Sequence, residues 1–487
     1  MTKIKHNSLE IFILFTVILI SSITVLLLIL DTSKPSYYNG LWVLPLIFGV
    51  YFCIIWLLLP KVTYKVSTLV VLGVYGARML FVPLVMYFGE YSTYGLTSIF
   101  SHYMGQALIL MAWEFQIVAI YIILIIWKKN KNDILDYPNY LYTNNSFIDI
   151  IPKKIQLLIL GVIIYILLIL IGTPGLLKES FFLTTGRSEE SYNLTFSGAV
   201  DHSAFGLSFG SQLVTIAFTL FWIIQVLLPP YLLSIGLKRI NSSIGKNIFF
   251  LLTLLLTLLV STEGRAHSIE CALALLITAN YSLKGKVKID PKLIIIVIVG
   301  VTIYGLMDKS GVTTSNDTVL KEFSTMITAY LGGPHNVATA IAAARDNNSI
   351  GFLSIIPDLL QRLPYLTKIF TPIFGGTTNV IFNEYFGSRY LGQIIPSIGL
   401  GYTYFHFILA PIVPLAAVIL AFYFEKRAQK SPDMVRKNLY YLGVIMMARA
   451  SAMSNMLSGI TYLGNFFFAW IIVYIGFIQN DIYRKKR

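Results

Sequence analysis

Apolar residues arrive along this chain in long unbroken runs rather than in the one-sided stripes of a soluble helix. Runs of roughly 20 such residues are what an α-helix needs to cross a bilayer. The pattern predicts about twelve crossings: Leu9–Leu30, Leu41–Leu59, Val66–Phe88, Ala107–Trp127, Ile155–Leu177, Ser211–Leu233, the short pair Ile248–Val260 and Ile269–Leu283, then Leu293–Leu306, Leu400–Phe424, Leu439–Met453 and Ile460–Ile478. The first run is too long for a signal-peptide core and lacks a small-residue cleavage site, so it is expected to stay as a helix. The expected fold is an all-α polytopic membrane protein. Residues 1–306 hold nine helices, 307–399 form a large extracytoplasmic loop, and 400–487 hold the last three.

That loop is too long for bare linker. Its stretch Thr318–Leu331 places Val319, Phe323, Met326, Ile327 and Tyr330 on one helical face. Gly332-Gly333-Pro334 ends that helix, and a second is expected over His335–Arg345. Phe352–Ile356, Ile369–Phe374 and Tyr390–Ile395 are apolar enough to dip into the lipid interface. The other outer segment is Lys178–Gly210, whose Arg187, Glu189 and Glu190 read as solvent-facing.

Composition agrees: 56% of the residues are hydrophobic and 12% charged, more apolar than a soluble domain of this length can bury. With the amino terminus inside, the inner loops collect 25 of the 37 basic residues and only 8 of the 23 acidic ones. Lysine and arginine on short loops set orientation, so both termini are expected in the cytoplasm. The net charge of +14 is thereby a topology signal that touches anionic lipid heads, and it does not call for nucleic acid. Cys53 and Cys271 both fall in apolar runs, with no disulfide framework and no metal-ligand spacing. No Asp-x-Asp lies in an outer loop and no nucleotide-binding loop appears, so neither metal nor cofactor is expected.

The chemistry gathers around misplaced charges. The runs on either side of Ser261-Thr262-Glu263-Gly264-Arg265-Ala266-His267-Ser268 are each short for a crossing, so a hairpin would leave Arg265 recessed beneath the far surface. A guanidinium there is costly unless it meets a wet cavity and an anion, and Glu263 can orient it; the alternative is a tip that reaches outer water. Arg78 and Glu114 fall at similar depth on neighbouring spans and can pair, either to fix helix packing or to serve a site. Arg449 lies in the small-residue stretch Met446–Ala452, facing a cavity or snorkelling to an interface. In the large loop, Arg345, Arg362, Lys368 and Arg389 can clamp an anion or remain solvated. His335 titrates near neutrality and can serve as a general base, or merely cap its helix. Together these suggest an outward cavity lined by arginines for a polyanionic lipid head group, since arginine's fork binds phosphate bidentately.

Three stretches carry a family resemblance. Ser261-Thr262-Glu263-Gly264-Arg265 is similar to the small-residue-plus-arginine signature of the oligosaccharide repeat-unit polymerases (the O-antigen and capsular polysaccharide polymerase family) and the related O-antigen ligases. Ala329-Tyr330-Leu331-Gly332-Gly333-Pro334 resembles their outer-loop Tyr-x-x-Gly-Pro element, and Thr378-Asn379-Val380 with Gly387 and Gly392 resembles a third. The resemblance implies a metal-independent enzyme of a bacterial cytoplasmic membrane, working beside a flippase and a chain-length regulator. It would join undecaprenyl-diphosphate-linked oligosaccharides, which serve as donor and acceptor. Arg265, with Arg78 and Arg449, would hold the diphosphate. His335-Asn336 resembles the ligases' His-Asn element, whose histidine activates the acceptor hydroxyl. The glycine that should follow about ten residues on is Asp346 here, so Tyr330 and Glu384 compete for that role. The alternatives are an O-antigen ligase, another polyprenyl-lipid glycosyltransferase, or a lipid-linked-oligosaccharide flippase.

Overall fold

A computed structural model describes residues 8–59, 64–91, 100–132, 160–161, 163–164, 211–259, 265–282, 319–347, 350–362, 378–385, 395–431, 433–454 and 471. Helix accounts for 88%, with no strand among the described residues. Four helical stretches are long and apolar enough to cross a membrane: Glu10–Leu30, Ser36–Leu58, Lys65–Phe88 and Ser101–Lys128. They match the first four expected crossings. The expected runs Ile155–Leu177, Leu293–Leu306 and Ile460–Ile478 lie outside the described residues, apart from isolated positions. Four spans, or five counting one bent pair, is therefore the number the described residues display rather than twelve.

The chain divides into two compact units. The first comprises Met1–Tyr137, Val312–Tyr423 and Met446–Thr461. Helix α1 (Ser8–Leu30) packs on α2 (Val43–Leu58), and α2 packs in turn on α5 (Met104–Asn132). Phe12, Phe15, Leu26 and Leu30 of α1 are exposed, a face suited to acyl chains. Between α2 and α5 the third span is interrupted. Helix α3 (Lys65–Gly76) passes through one π-helical turn, Ala77–Phe81, into α4 (Val82–Phe88). Pro83 follows at once and has no N–H to give back to the preceding turn, the usual setting for a widened turn.

The large loop folds onto these spans. Helix α9 (Val319–Tyr330) lies against α4, where Gly89 admits Ser324 at a distance no Cβ would allow. The chain then turns through Leu331-Gly332-Gly333 into α10 (Pro334–Asp346). The amide of Gly333 donates to the Thr328 carbonyl at 2.9 Å across Gly332, whose φ is +62°, which makes the left-handed helix stop that glycine favours. Pro334 opens the next helix, where its missing N–H is harmless. Short helices α11 (Ile355–Arg362) and α12 (Thr378–Tyr385) follow. The buried Asp358 ties them together, accepting from the Thr378 amide at 2.8 Å and from the Tyr404 hydroxyl.

The expected crossing Leu400–Phe424 is not one helix. It breaks into α13 (Ser397–Leu409) and α14 (Ile412–Lys430), bent by 111°. The break is at His406, whose φ of 58° and ψ of −166° belong to glycine's territory and cost about 1–3 kcal/mol. Tight packing imposes it: a Cβ on Gly401 would lie 2.1 Å from the Ala410 carbonyl oxygen. Helix α15 (Met434–Ala452) begins earlier than the expected Leu439–Met453 and likewise ends at the small-residue stretch.

The second unit comprises Pro138–Gly311, Phe424–Ile445 and Tyr462–Arg487. Helices α6 (Ser211–Arg239), α7 (Ser243–Leu259) and α8 (Arg265–Ser282) pack pairwise around Leu233, Phe250, Leu254, Leu275 and Ala279. At 17 and 18 residues, α7 and α8 form the short apolar pair expected from the sequence.

Two glycines test this packing. Gly401→Ala should lower the thermal unfolding temperature in detergent by several degrees, since backbone must move. Gly73→Ala meets nothing within 4 Å and should leave stability unchanged or raise it by about 0.5–1 kcal/mol.

Candidate functional site

The deepest charged feature of the first unit is Arg78, carried on the π-turn and wholly buried. Its Nη1 donates to Glu114 Oε2 at 2.7 Å, and Glu114 is equally buried. Its Nε donates to the Gly332 carbonyl at 2.8 Å. Tyr75 Oη donates to the other carboxylate oxygen, Glu114 Oε1, at 3.1 Å. Arg78 Nη2 is buried with no hydrogen-bond partner among the described residues. The expected pairing of Arg78 with Glu114 is therefore present, and it has a third member: the guanidinium reaches from a membrane span to the turn of the large loop.

Small residues let the elements approach there. A Cβ on Gly332 would come within 3.2 Å of Pro396 and 3.3 Å of the Ala452 carbonyl oxygen. Ser397 donates through its amide to the Ser454 carbonyl at 2.7 Å and through its hydroxyl to that of Ala450 at 2.5 Å. Arg449 belongs to this segment. It stands in the last turn of α15, half-buried, where a cation complements the helix dipole.

Helix α10 buries every residue from Pro334 to Ala343. Its alanines permit contact on several sides at once, with α5, α12 and α13. His335 is 2% exposed, with its ring 6.4 Å from that of Phe100. Burial disfavours its charged form and holds its pKa down to about 4. In this arrangement it is a neutral, enclosed imidazole rather than a base open to a substrate. Asn336 links the paired helices, donating to the Ala329 carbonyl at 3.3 Å.

At its other end α10 surfaces. Arg345 is exposed; its Nε donates to Tyr402 Oη at 3.2 Å, and its guanidinium carbon sits 5.2 Å from the Tyr103 ring centroid. Gln106 Nε2 meets the same Tyr402 hydroxyl at 3.4 Å. Asp346 and Glu384 are exposed, and Tyr385 lies between Phe100, 6.0 Å away ring to ring, and the charge of Asp346. Burial first, then the neighbouring charges of Asp346, Tyr103 and Glu384, push the Tyr385 hydroxyl up. Tyr330 is 48% exposed. Sequence reading singled out Arg345 and Glu384 but missed Tyr103, Gln106, Tyr385 and Tyr402. These come from the 3-10 turn Ser101–Tyr103, α5, α12 and α13, and no spacing along the chain links them.

In the second unit α8 opens at Arg265, so that Arg265–Ser268, expected as part of the polar turn, form its first turn; the Arg265 side chain and Glu263 lie outside the described residues, as do Arg389 and the Arg362 side chain. The next turn carries buried polar groups that sequence reading did not single out. His267 Nδ1 lies 3.8 Å from Glu270 Oε2, and its Nε2 lies 3.4 Å from Cys271 Sγ. Gln225 of α6 bridges Ser268 Oγ and the Thr257 carbonyl, each at 3.3 Å. A polar layer thus sits among apolar helices at the Arg265 end of α8. No cluster of metal-ligating residues occurs among the described residues.

The chain matches no protein-family model, no curated protein and no solved structure.

Removing one partner of a buried ion pair strands the other. Arg78→Met or Glu114→Leu alone should cost about 3–5 kcal/mol, and the two together much less than their sum, read as a double-mutant cycle of thermal unfolding. His335 predicts a pH effect. The unfolded imidazole takes up a proton near pH 6.5 and the folded one only near 4, so stability should be full above about pH 6.5 and fall towards pH 4. Unfolding temperatures between pH 7 and pH 4.5 should therefore decline less in His335→Gln than in the parent.

Proposed function

We propose that this chain is a membrane-embedded polysaccharide polymerase. In this reading it spans the cytoplasmic membrane of a bacterium about twelve times with both termini inside. It joins oligosaccharide units carried on a polyprenyl diphosphate, undecaprenyl by the family resemblance. The observation that carries the reading is the start of α8. A cationic residue opens a helix behind a short apolar hairpin, and the turn after it is a buried polar layer in apolar surroundings. Helix N-termini favour anions, and polar groups kept inside an apolar bundle are costly unless they pair with one another or serve a polar ligand.

A hydroxyl of the acceptor glycan attacks the anomeric carbon of the donor glycan, forming a C–O bond. The bond between that carbon and the diphosphate oxygen breaks, and the diphosphate leaves with the electron pair. Arg265 stabilises the charge that collects on the leaving group. The proton released by the hydroxyl passes to a base. The enclosed, neutral His335 is poorly suited to take it. Arg78 has two of its three nitrogens committed to Glu114 and Gly332, so it holds the loop in place rather than the diphosphate.

Proteoliposomes holding the purified chain and a lipid-linked oligosaccharide unit provide the test, with chain growth followed by gel ladder. Arg265→Ala should slow growth by about a hundredfold and Arg265→Lys by less, as expected for lost leaving-group stabilisation. Undiminished growth in Arg265→Ala removes that residue from the mechanism. A parent chain that moves the lipid-linked unit across the bilayer without extending it is a flippase, and the polymerase reading fails.

A further inference from the structure

Five elements of the first unit bring a mixed aromatic and polar surface together at the exposed end of α10. Tyr103 ends the 3-10 turn Ser101–Tyr103 that leads into α5, Gln106 comes from the start of α5, Arg345 and Asp346 from the end of α10, Tyr385 with Glu384 from the end of α12, and Tyr402 from α13. Tyr402 is buried and acts as the post: its single hydroxyl receives Arg345 Nε and Gln106 Nε2. The long side chain of Arg345 is thus fixed twice, by that bond and by lying over the Tyr103 ring, while its guanidinium stays exposed. Holding an exposed arginine in this way gives up side-chain freedom, a cost commonly repaid by a pre-organised ligand contact.

The composition of the patch selects its ligand. Sugars offer ring C–H faces that lie on aromatic rings and rows of hydroxyls that both donate and accept. Half-buried tyrosine rings serve the first, while arginine, glutamine and carboxylates serve the second. Asp346 adjoins Arg345 on α10, and the exposed carboxylates of Asp346 and Glu384 both act on Tyr385, so a phosphate would meet repulsion as well as attraction. Neutral hydroxyls meet no such conflict. His406 also belongs here: it is exposed, its ring is 6.2 Å from that of Tyr402, and its backbone is strained. Strain of this kind concentrates at ligand sites.

We propose that Tyr103, Gln106, Arg345, Asp346, Tyr385 and Tyr402 form a saccharide subsite that holds the glycan of the acceptor. This rests on the polymerase reading for the identity of the glycan, while the patch is built entirely from residues of the first unit. The probe is the repeat-unit oligosaccharide released from its lipid carrier by mild acid, titrated into the full-length detergent-purified chain and followed by saturation-transfer NMR. Chain growth in proteoliposomes is measured in parallel. Arg345→Gln and Tyr103→Ala should weaken binding of the free oligosaccharide at least tenfold, with unchanged unfolding temperature, and shorten the ladders. Tyr402→Phe should do the same by releasing Arg345 and Gln106, and its milder change guards against a folding defect. If the parent extends chains and the variants bind and extend as it does, the subsite is overturned and the polymerase reading stands. Oligosaccharide binding that the variants lose, from a parent that extends nothing, keeps the subsite and overturns the polymerase reading. No binding by the parent overturns the subsite.

Discussion

A guanidinium buried among apolar helices must find acceptors, and everything notable in the first unit follows from where Arg78 finds them. One is the carboxylate of Glu114, on a neighbouring span. The other is the carbonyl of Gly332, in a segment some 250 residues further along the chain. Bonds in a low-dielectric interior are strong when made and costly when missing, so this arginine joins two spans to the turn between α9 and α10. The turn can receive it because Gly332 has no side chain and tolerates a positive φ. That brings its carbonyl into a crowded junction with Pro396 and the end of α15.

From that anchor α10 works as a beam. Its first ten residues are buried, so its position is set by packing rather than by loop conformation. Its last two, Arg345 and Asp346, emerge at the surface among residues of three other elements. About 15 Å of helix separates His335 from Arg345, at 1.5 Å rise per residue. The two ends of one helix therefore live in different chemistries: a neutral, enclosed histidine at one, an exposed polar and aromatic surface at the other. Function placed on a rigid element fixed at its base gains precision that a free loop lacks.

The second unit obeys the same constraint differently. Its helices are apolar along most of their length, and one group of buried polar side chains gathers around His267, Ser268, Glu270 and Gln225, while Thr278 and Asn438 pair elsewhere. Polar side chains spread through such helices would each need a partner; gathered together, they partner one another. Arg265 opens the helix that carries three of them.

Much of this was legible in the sequence because bilayer crossings are long and apolar. The first four spans, the short pair α7 and α8, the Gly-Gly-Pro break and the two loop helices each depend on neighbours within a few residues, and they appear close to where the pattern puts them. The pairing of Arg78 with Glu114 was legible too, since two charges at matching depth in apolar spans have few other options. What the tertiary structure alone decided was non-local. The break at His406 arises because packing near Gly401 bends a run that reads as one crossing. The acceptor for Arg78 is a main-chain carbonyl, which carries no signature in a list of side chains. His335, alone in a loop, reads as an accessible base until the alanine face of α10 is seen to enclose it. The tyrosines around Arg345 are ordinary in their own segments and become a surface only because packing brings the start of α5, the ends of α10 and α12 and the middle of α13 to the same place.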